Sequence, residues 1–222
     1  MGIAKQNPVS GVIDYPESDG APMGETGYHV HAIAVFYDIL KNFFAEQQVY
    51  VTADVFLYYE EGNPLAQCAP DLMVVNGIDG SYERRTFKIW EEKAVPDLII
   101  EIASKSSRLE DVGTKVALYE MLGVKHYLVF DPLKEFLPQQ LRGYKLVDGA
   151  FVSVLPDASK CFPCEHVDLK IGFDRHELVA YQLSTGEKLL SYQEQKKAAQ
   201  REAEKAARYR EKLRALGIDP DA

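Results

Sequence analysis

The sequence predicts an α/β fold: a mixed central β-sheet flanked by helices, with an added β-hairpin and a C-terminal helix. Three observations predict it. Apolar runs rich in β-branched residues recur at 71–75, 97–103 and 125–130, each bounded by turn residues. Two stretches, 27–46 and 114–122, carry apolar residues at helical spacing. The order strand, helix, strand across 97–130 reads as a crossover unit, which places its two strands parallel.

Residues 1–24 hold Pro8, Gly11, Pro16, Gly20, Pro22 and Gly24 and read as an extended lead-in. Thr26 is a plausible N-cap for a helix over 27–46, where Val30, Ile33, Ala34, Tyr37, Leu40 and Phe44 form the apolar stripe. Val49 to Tyr59 reads as one strand, followed by the turn cluster 60–64. Asp71 to Val75 is a short strand closed by the turn at 77–80. The charged segment 82–93, with the only tryptophan, Trp90, reads as a surface loop or a short amphipathic piece. Asp97 to Ala103 is the next strand. Thr114 to Leu122 is a helix, and Gly123 suits the position just past its end. Lys125 to Phe130 is a strand ended by Asp131-Pro132. The segments 141–146 and 150–155 flank Asp148-Gly149, a hairpin signal. Residues 156–185 read as irregular with short strands. Residues 187–216 contain no Gly or Pro and have a helix-forming composition, so the chain divides into a lead-in at 1–24, a domain at 25–186 and a charged helical tail at 187–222.

Composition narrows the function classes. The chain has 222 residues, 46% of them hydrophobic, enough for one core and an appendage. The formal net charge is −9, so nucleic acid would have to be held by a local basic surface or through metal cations. The tail is such a surface: Lys196, Lys197, Arg201, Lys205, Arg208, Arg210, Lys212 and Arg214 outnumber its acids, although a solvated helix has the same look. No apolar run is long enough to span a bilayer, and the N-terminus lacks the apolar stretch of a secretion signal. Three cysteines fit a reducing, cytoplasmic setting. Cys161 and Cys164, with His166 and His176 nearby, could hold zinc, but the spacing fits no standard finger and reduced thiols are the plainer reading.

One constellation carries chemistry. Asp71 opens a strand, Glu101 lies on the next, and Lys115 begins the following helix. If the two strands pair, neighbours about 4.8 Å apart can turn both carboxylates to one side. A divalent cation would relieve their repulsion, and oxygen-only ligands suit Mg²⁺ or Mn²⁺. A nearby ammonium completes a site for phosphodiester hydrolysis. Asp97 sits four residues before Glu101, roughly 13 Å of extended chain, too far to share a metal with it. The plainer alternative is a strand-opening Asp71 and a structural Glu101–Lys115 ion pair. Tyr119, His126 and Tyr127 read as packing residues.

The segments PDLMVV and PDLIIEIASKSS, then Asp111, Lys115, Tyr119 and the run from Gly123 to Pro132, resemble the Uma-two family, restriction-endonuclease-like proteins of the PD-(D/E)XK nuclease superfamily. The resemblance covers about residues 25–155. It implies a four-stranded mixed sheet flanked by helices, Mg²⁺-dependent DNA cleavage, and metal ligation by Asp71, Glu101 and the backbone carbonyl of Ile102. It also implies a lysine two residues after Glu101, where this chain has Ala103. Lys115 would supply the displaced ammonium. Glu25, His29 and His31 are candidate accessory groups from the first helix. DNA is the expected partner, and a homodimer would give the two sites that double-strand cleavage calls for. The competing reading is a catalytically inactive nuclease-fold protein that binds nucleic acid or a protein partner, with the tail as docking or assembly element.

Overall fold

The computed structural model describes residues 13–18, 26–105, 107 and 112–216. The chain divides into two compact units, Met1–Leu189 and Leu190–Ala222.

In the first unit a six-stranded sheet has the order β1-β4-β6-β7-β8-β9. Its strands are β1 (Val49–Thr52), β4 (Leu72–Asn76), β6 (Leu98–Ile102), β7 (His126–Phe130), β8 (Leu141–Val147) and β9 (Ala150–Val154). Only β6 and β7 are parallel within it, and α3 (Thr114–Leu122) is the crossover between them. The neighbours of that pair run antiparallel, so the sheet is mixed as expected. The four strands implied by the resemblance are β1, β4, β6 and β7; the hairpin β8–β9, turning at Asp148-Gly149, extends them to six.

Side-chain alternation divides the core into two layers. Val49 and Val51, Leu72 and Val74, Leu98, Ile100 and Ile102, and Leu128 and Phe130 face one way. There they meet Ala32, Phe36, Ile39 and Leu40 of α1 (Gly27–Phe43) and residues of a second sheet. Tyr50, Met73, Val75, Ile99, Tyr127 and Val129 face the other way, against Tyr119 of α3 and Val124. Position 101 belongs to this second face, so the alternation sets a glutamate among apolar neighbours and under α3.

The structure revises several boundaries. Helix α1 is capped by the Thr26 hydroxyl, which accepts from the His29 amide, and ends at Phe43 rather than 46. The single strand expected over 49–59 is two. Asp54 takes a left-handed conformation (φ 52°) and its amide donates to the Pro70 carbonyl, which turns the chain out of the main sheet. Its continuation β2 (Leu57–Tyr58) pairs with β3 (Gln67–Cys68) and β5 (Phe87–Lys88) in a small separate sheet. A short helix α2 (Ile89–Glu92) follows β5, and beside it the Arg84 guanidinium lies over Tyr50 and Tyr82 and pairs with Glu92. The stretch expected to be irregular with short strands is more regular than that: its strands form an antiparallel sheet, β10 (Phe162–Cys164), β11 (Leu169–Asp174) and β12 (Glu177–Gln182). Its Phe162, Cys164, Leu169, Ile171, Leu178 and Ala180 are buried, a pattern broken up in the sequence by polar residues of the exposed face and by intervening turns.

The second unit contains α4 (Tyr192–Ala215), which starts later than composition alone suggests. Ser191 and Glu194 cap each other's backbone amides, fixing the helix start. No residue of α4 is buried. Among the described residues, no helix is long and apolar enough to cross a membrane.

Candidate functional site

The pairing of β4 with β6 sets Leu72 opposite Ile100 and Met73 opposite Ile99. One step further along the same register sets Asp71 opposite Glu101, where directly paired residues share a face. Two contacts fasten this junction. The Ile102 amide donates to Asp71 Oδ2 at 2.6 Å, and the Asp71 amide donates to Glu101 Oε2 at 3.4 Å.

Glu101 is 1% exposed. A buried carboxylate needs partners to stay charged, and helix α3 supplies them. Lys115 Nζ lies 2.9 Å from Oε2, and the Tyr119 hydroxyl donates to Oε1 at 2.7 Å. Lys115 and Tyr119 are four residues apart, one helical turn, so a single helix face presents both. Burial first and the Glu101 charge second push the Tyr119 hydroxyl well above its ordinary range, so it stays a donor. The same two causes raise the Cys68 thiol to about 12, which marks Cys68 as another neighbour of Glu101.

Asp71 is contacted from the other side of the sheet. His29 Nε2 of α1 lies 3.3 Å from Asp71 Oδ1, and both side chains are largely buried. A small cleft of about 70 Å³ opens beside His29, lined by Thr26, Tyr28, His29, Ile102, Ala103 and Lys105 among others.

The residues singled out by the sequence therefore sort as follows. Asp71, Glu101, Lys115 and His29 come together. Ala103 is buried on the same face as Glu101, where a lysine would have pointed. His31 does not join them; it faces Glu177 at 3.2 Å. Glu25 and Asp111 lie outside the described residues. Asp97 works at its strand start, where its Oδ2 accepts from the Asn76 amide at 2.8 Å. Tyr119, read as packing, is both buried and a direct partner of Glu101; its spacing from Lys115 was the signal that could have found it. Asp131 accepts the amides of Glu135, Phe136 and Leu137 and closes the turn after β7.

The cysteine pair lies elsewhere. Cys161 and Cys164 are buried free thiols, and burial raises both, Cys161 modestly and Cys164 far above the ordinary range. His176 Nδ1 faces the Pro132 carbonyl at 2.7 Å. His166 faces His126 at 3.0 Å.

A crystal structure described as "a putative nuclease belonging to DUF820" from Anabaena variabilis aligns with a TM-score of 0.48 at 17% identity, covering 66% of this chain and 76% of that one. No curated protein matches the chain. The family model Uma2, described as "Putative restriction endonuclease", matches residues 18–158, well over half of the sequence, and the chain belongs to the Uma2 family.

Proposed function

We propose that this protein is a metal-dependent DNA endonuclease that hydrolyses phosphodiester bonds, with Asp71, Glu101 and Lys115 as its catalytic residues. The observation that carries the reading is the meeting of these three at one end of β4 and β6, with Lys115 2.9 Å from Glu101. Nuclease chemistry is also what the family description names.

The donor set fits a divalent cation. Asp71 and Glu101 bring two carboxylates to one largely buried place, with one ammonium beside them, which leaves negative charge for a cation to balance. Oxygen donors favour Mg²⁺ or Mn²⁺ over zinc. Asp71 and Glu101 would hold the ion, and the Ile102 carbonyl, on the strand edge whose amide Asp71 already engages, would be a third ligand. A cation there would polarise a phosphoryl oxygen and acidify a coordinated water.

The chain's own groups then divide the remaining work. Tyr119 fixes one oxygen of Glu101, leaving the other turned toward Lys115. Lys115 is placed to orient the attacking water or to stabilise charge building on the phosphoryl oxygens. His29 holds Asp71 in its orientation. The cleft past Ala103 and Lys105 would admit the DNA backbone. The three free cysteines suit a reducing compartment such as the cytoplasm.

Incubation of the protein with supercoiled DNA and Mg²⁺ or Mn²⁺ tests this directly. We expect nicking or linearisation that needs the metal and falls by at least about a hundredfold in Glu101→Gln, a substitution that keeps the shape of the buried side chain. Equal cleavage by both proteins would remove the assignment. A second reading, an inactive nuclease-fold binder, draws on Ala103. It expects no cleavage by either protein, and DNA binding that disappears when residues 190–222 are deleted.

A further inference from the structure

A second group of metal-ligating side chains lies away from Glu101. His126, Glu165 and His166 bring three donor atoms to within 4.8 Å of one another, the one such set of His, Cys, Asp or Glu residues among those described. His126 Nε2 lies 3.0 Å from His166 Nδ1 and 3.5 Å from Glu165 Oε2.

The place differs from the nuclease site on two counts. His126 is level with Leu98 in the β6–β7 pairing, three residues before the level of Glu101. That is roughly 10 Å along the strand. His126 also lies on the opposite face, the face of Leu128 and Phe130.

We propose that His126, Glu165 and His166 form a binding site for a first-row transition cation, with Zn²⁺ as its natural occupant, that pins the β10–β12 sheet to the central sheet. Ligands around a tetrahedral zinc at about 2.1 Å stand about 3.4 Å apart. The separations of 3.0 and 3.5 Å bracket that value, so small side-chain adjustments would suffice. Two imidazole nitrogens and one carboxylate oxygen suit zinc, cobalt or nickel and do not suit magnesium or calcium.

The surroundings hold these donors in place. His126 is 2% exposed and fixed at the start of β7. Lys145, its partner across β8, binds Glu165 Oε1 at 2.7 Å and leaves Oε2 facing His126. Asn76, at the end of β4, donates to the His166 carbonyl and anchors the turn that carries both other ligands. Glu165 and His166 are exposed, so a fourth position is open to water and the cation can enter from solvent.

The test uses full-length protein stripped with a chelator and titrated with Zn²⁺ by calorimetry, and with Co²⁺ by visible absorption. One equivalent should bind, and zinc should raise the melting temperature. His166→Ala and Glu165→Gln, both at exposed positions, should weaken binding roughly tenfold or more and remove the thermal shift while keeping the native circular dichroism. Glu101→Gln should bind zinc as the parent does, which separates this site from the proposed catalytic one. The proposal is overturned if no saturable binding occurs, if His166→Ala binds like the parent, or if binding is lost instead in Cys161→Ser, Cys164→Ser or Glu101→Gln.

Discussion

At the scale of the residue, the substitution that matters most is one the chain already carries. Ala103 occupies the position from which a strand lysine would reach Glu101, and Lys115 reaches it from a helix instead. The two positions address the same carboxylate from two directions. Lys115→Ala should therefore cost DNA cleavage about as much as loss of a charge-stabilising group does elsewhere, on the order of a hundredfold. Adding Ala103→Lys to that variant should recover part of the rate, read as initial nicking velocity at fixed Mg²⁺. A double variant no faster than Lys115→Ala would show that the position of the ammonium, and not its presence alone, is what the site needs. Glu101 was legible in the sequence because a charged residue inside an apolar strand asks for a reason. Tyr119 was not, because an aromatic residue on an apolar helix face is ordinarily core, and here it is core and hydrogen-bond donor at once.

At the scale of the element, strands were easiest to read where both faces are buried. β4, β6 and β7 are continuous apolar runs, and their ends fell close to where the sequence put them. The β1–β2 stretch misled because nothing in its composition marks the left-handed turn at Asp54. The β10–β12 sheet was obscured because its strands are buried on one face only, and polar residues such as Lys170, Asp174, Glu177 and Gln182 break up the apolar runs. Its docking leaves a trace at one glycine. A Cβ on Gly143 of β8 would come within 2.4 Å of a ring carbon of Phe162 in β10. Gly143→Ala should push Phe162 out of its seat and destabilise the first unit by about 1–3 kcal/mol, measured by urea denaturation. An unchanged midpoint would mean that Phe162 can swing aside at no cost. The His126, Glu165 and His166 group escaped the sequence for a related reason: its members come from segments some 40 residues apart that meet only through this docking.

At the scale of the whole molecule, stability should depend on pH through His126. Burial lowers its pKa from 6.5 to about 4, outweighing the attraction of Glu165. The folded state then holds fewer protons than the unfolded state between these values, so stability present above pH 6.5 is lost as pH falls toward 4. The loss from this group amounts to roughly 2–3 kcal/mol in metal-free protein. Urea midpoints at pH 7 and pH 4.5, compared between the parent and His126→Gln, would measure it; parallel slopes in the two proteins would assign the effect to other groups. The crossover helix has a different consequence. Helix α3 has nine residues, too few to persist alone in water, and it exists because it is docked on the sheet. A lysine borne by the strand itself would keep its place as long as the sheet survived. Lys115 keeps its place only while α3 stays seated, so the proposed chemistry is tied to the least self-sufficient piece of the fold around it. Warming or mild denaturant should silence the enzyme while its sheet is still intact, making catalysis a gauge of whether one short helix is home.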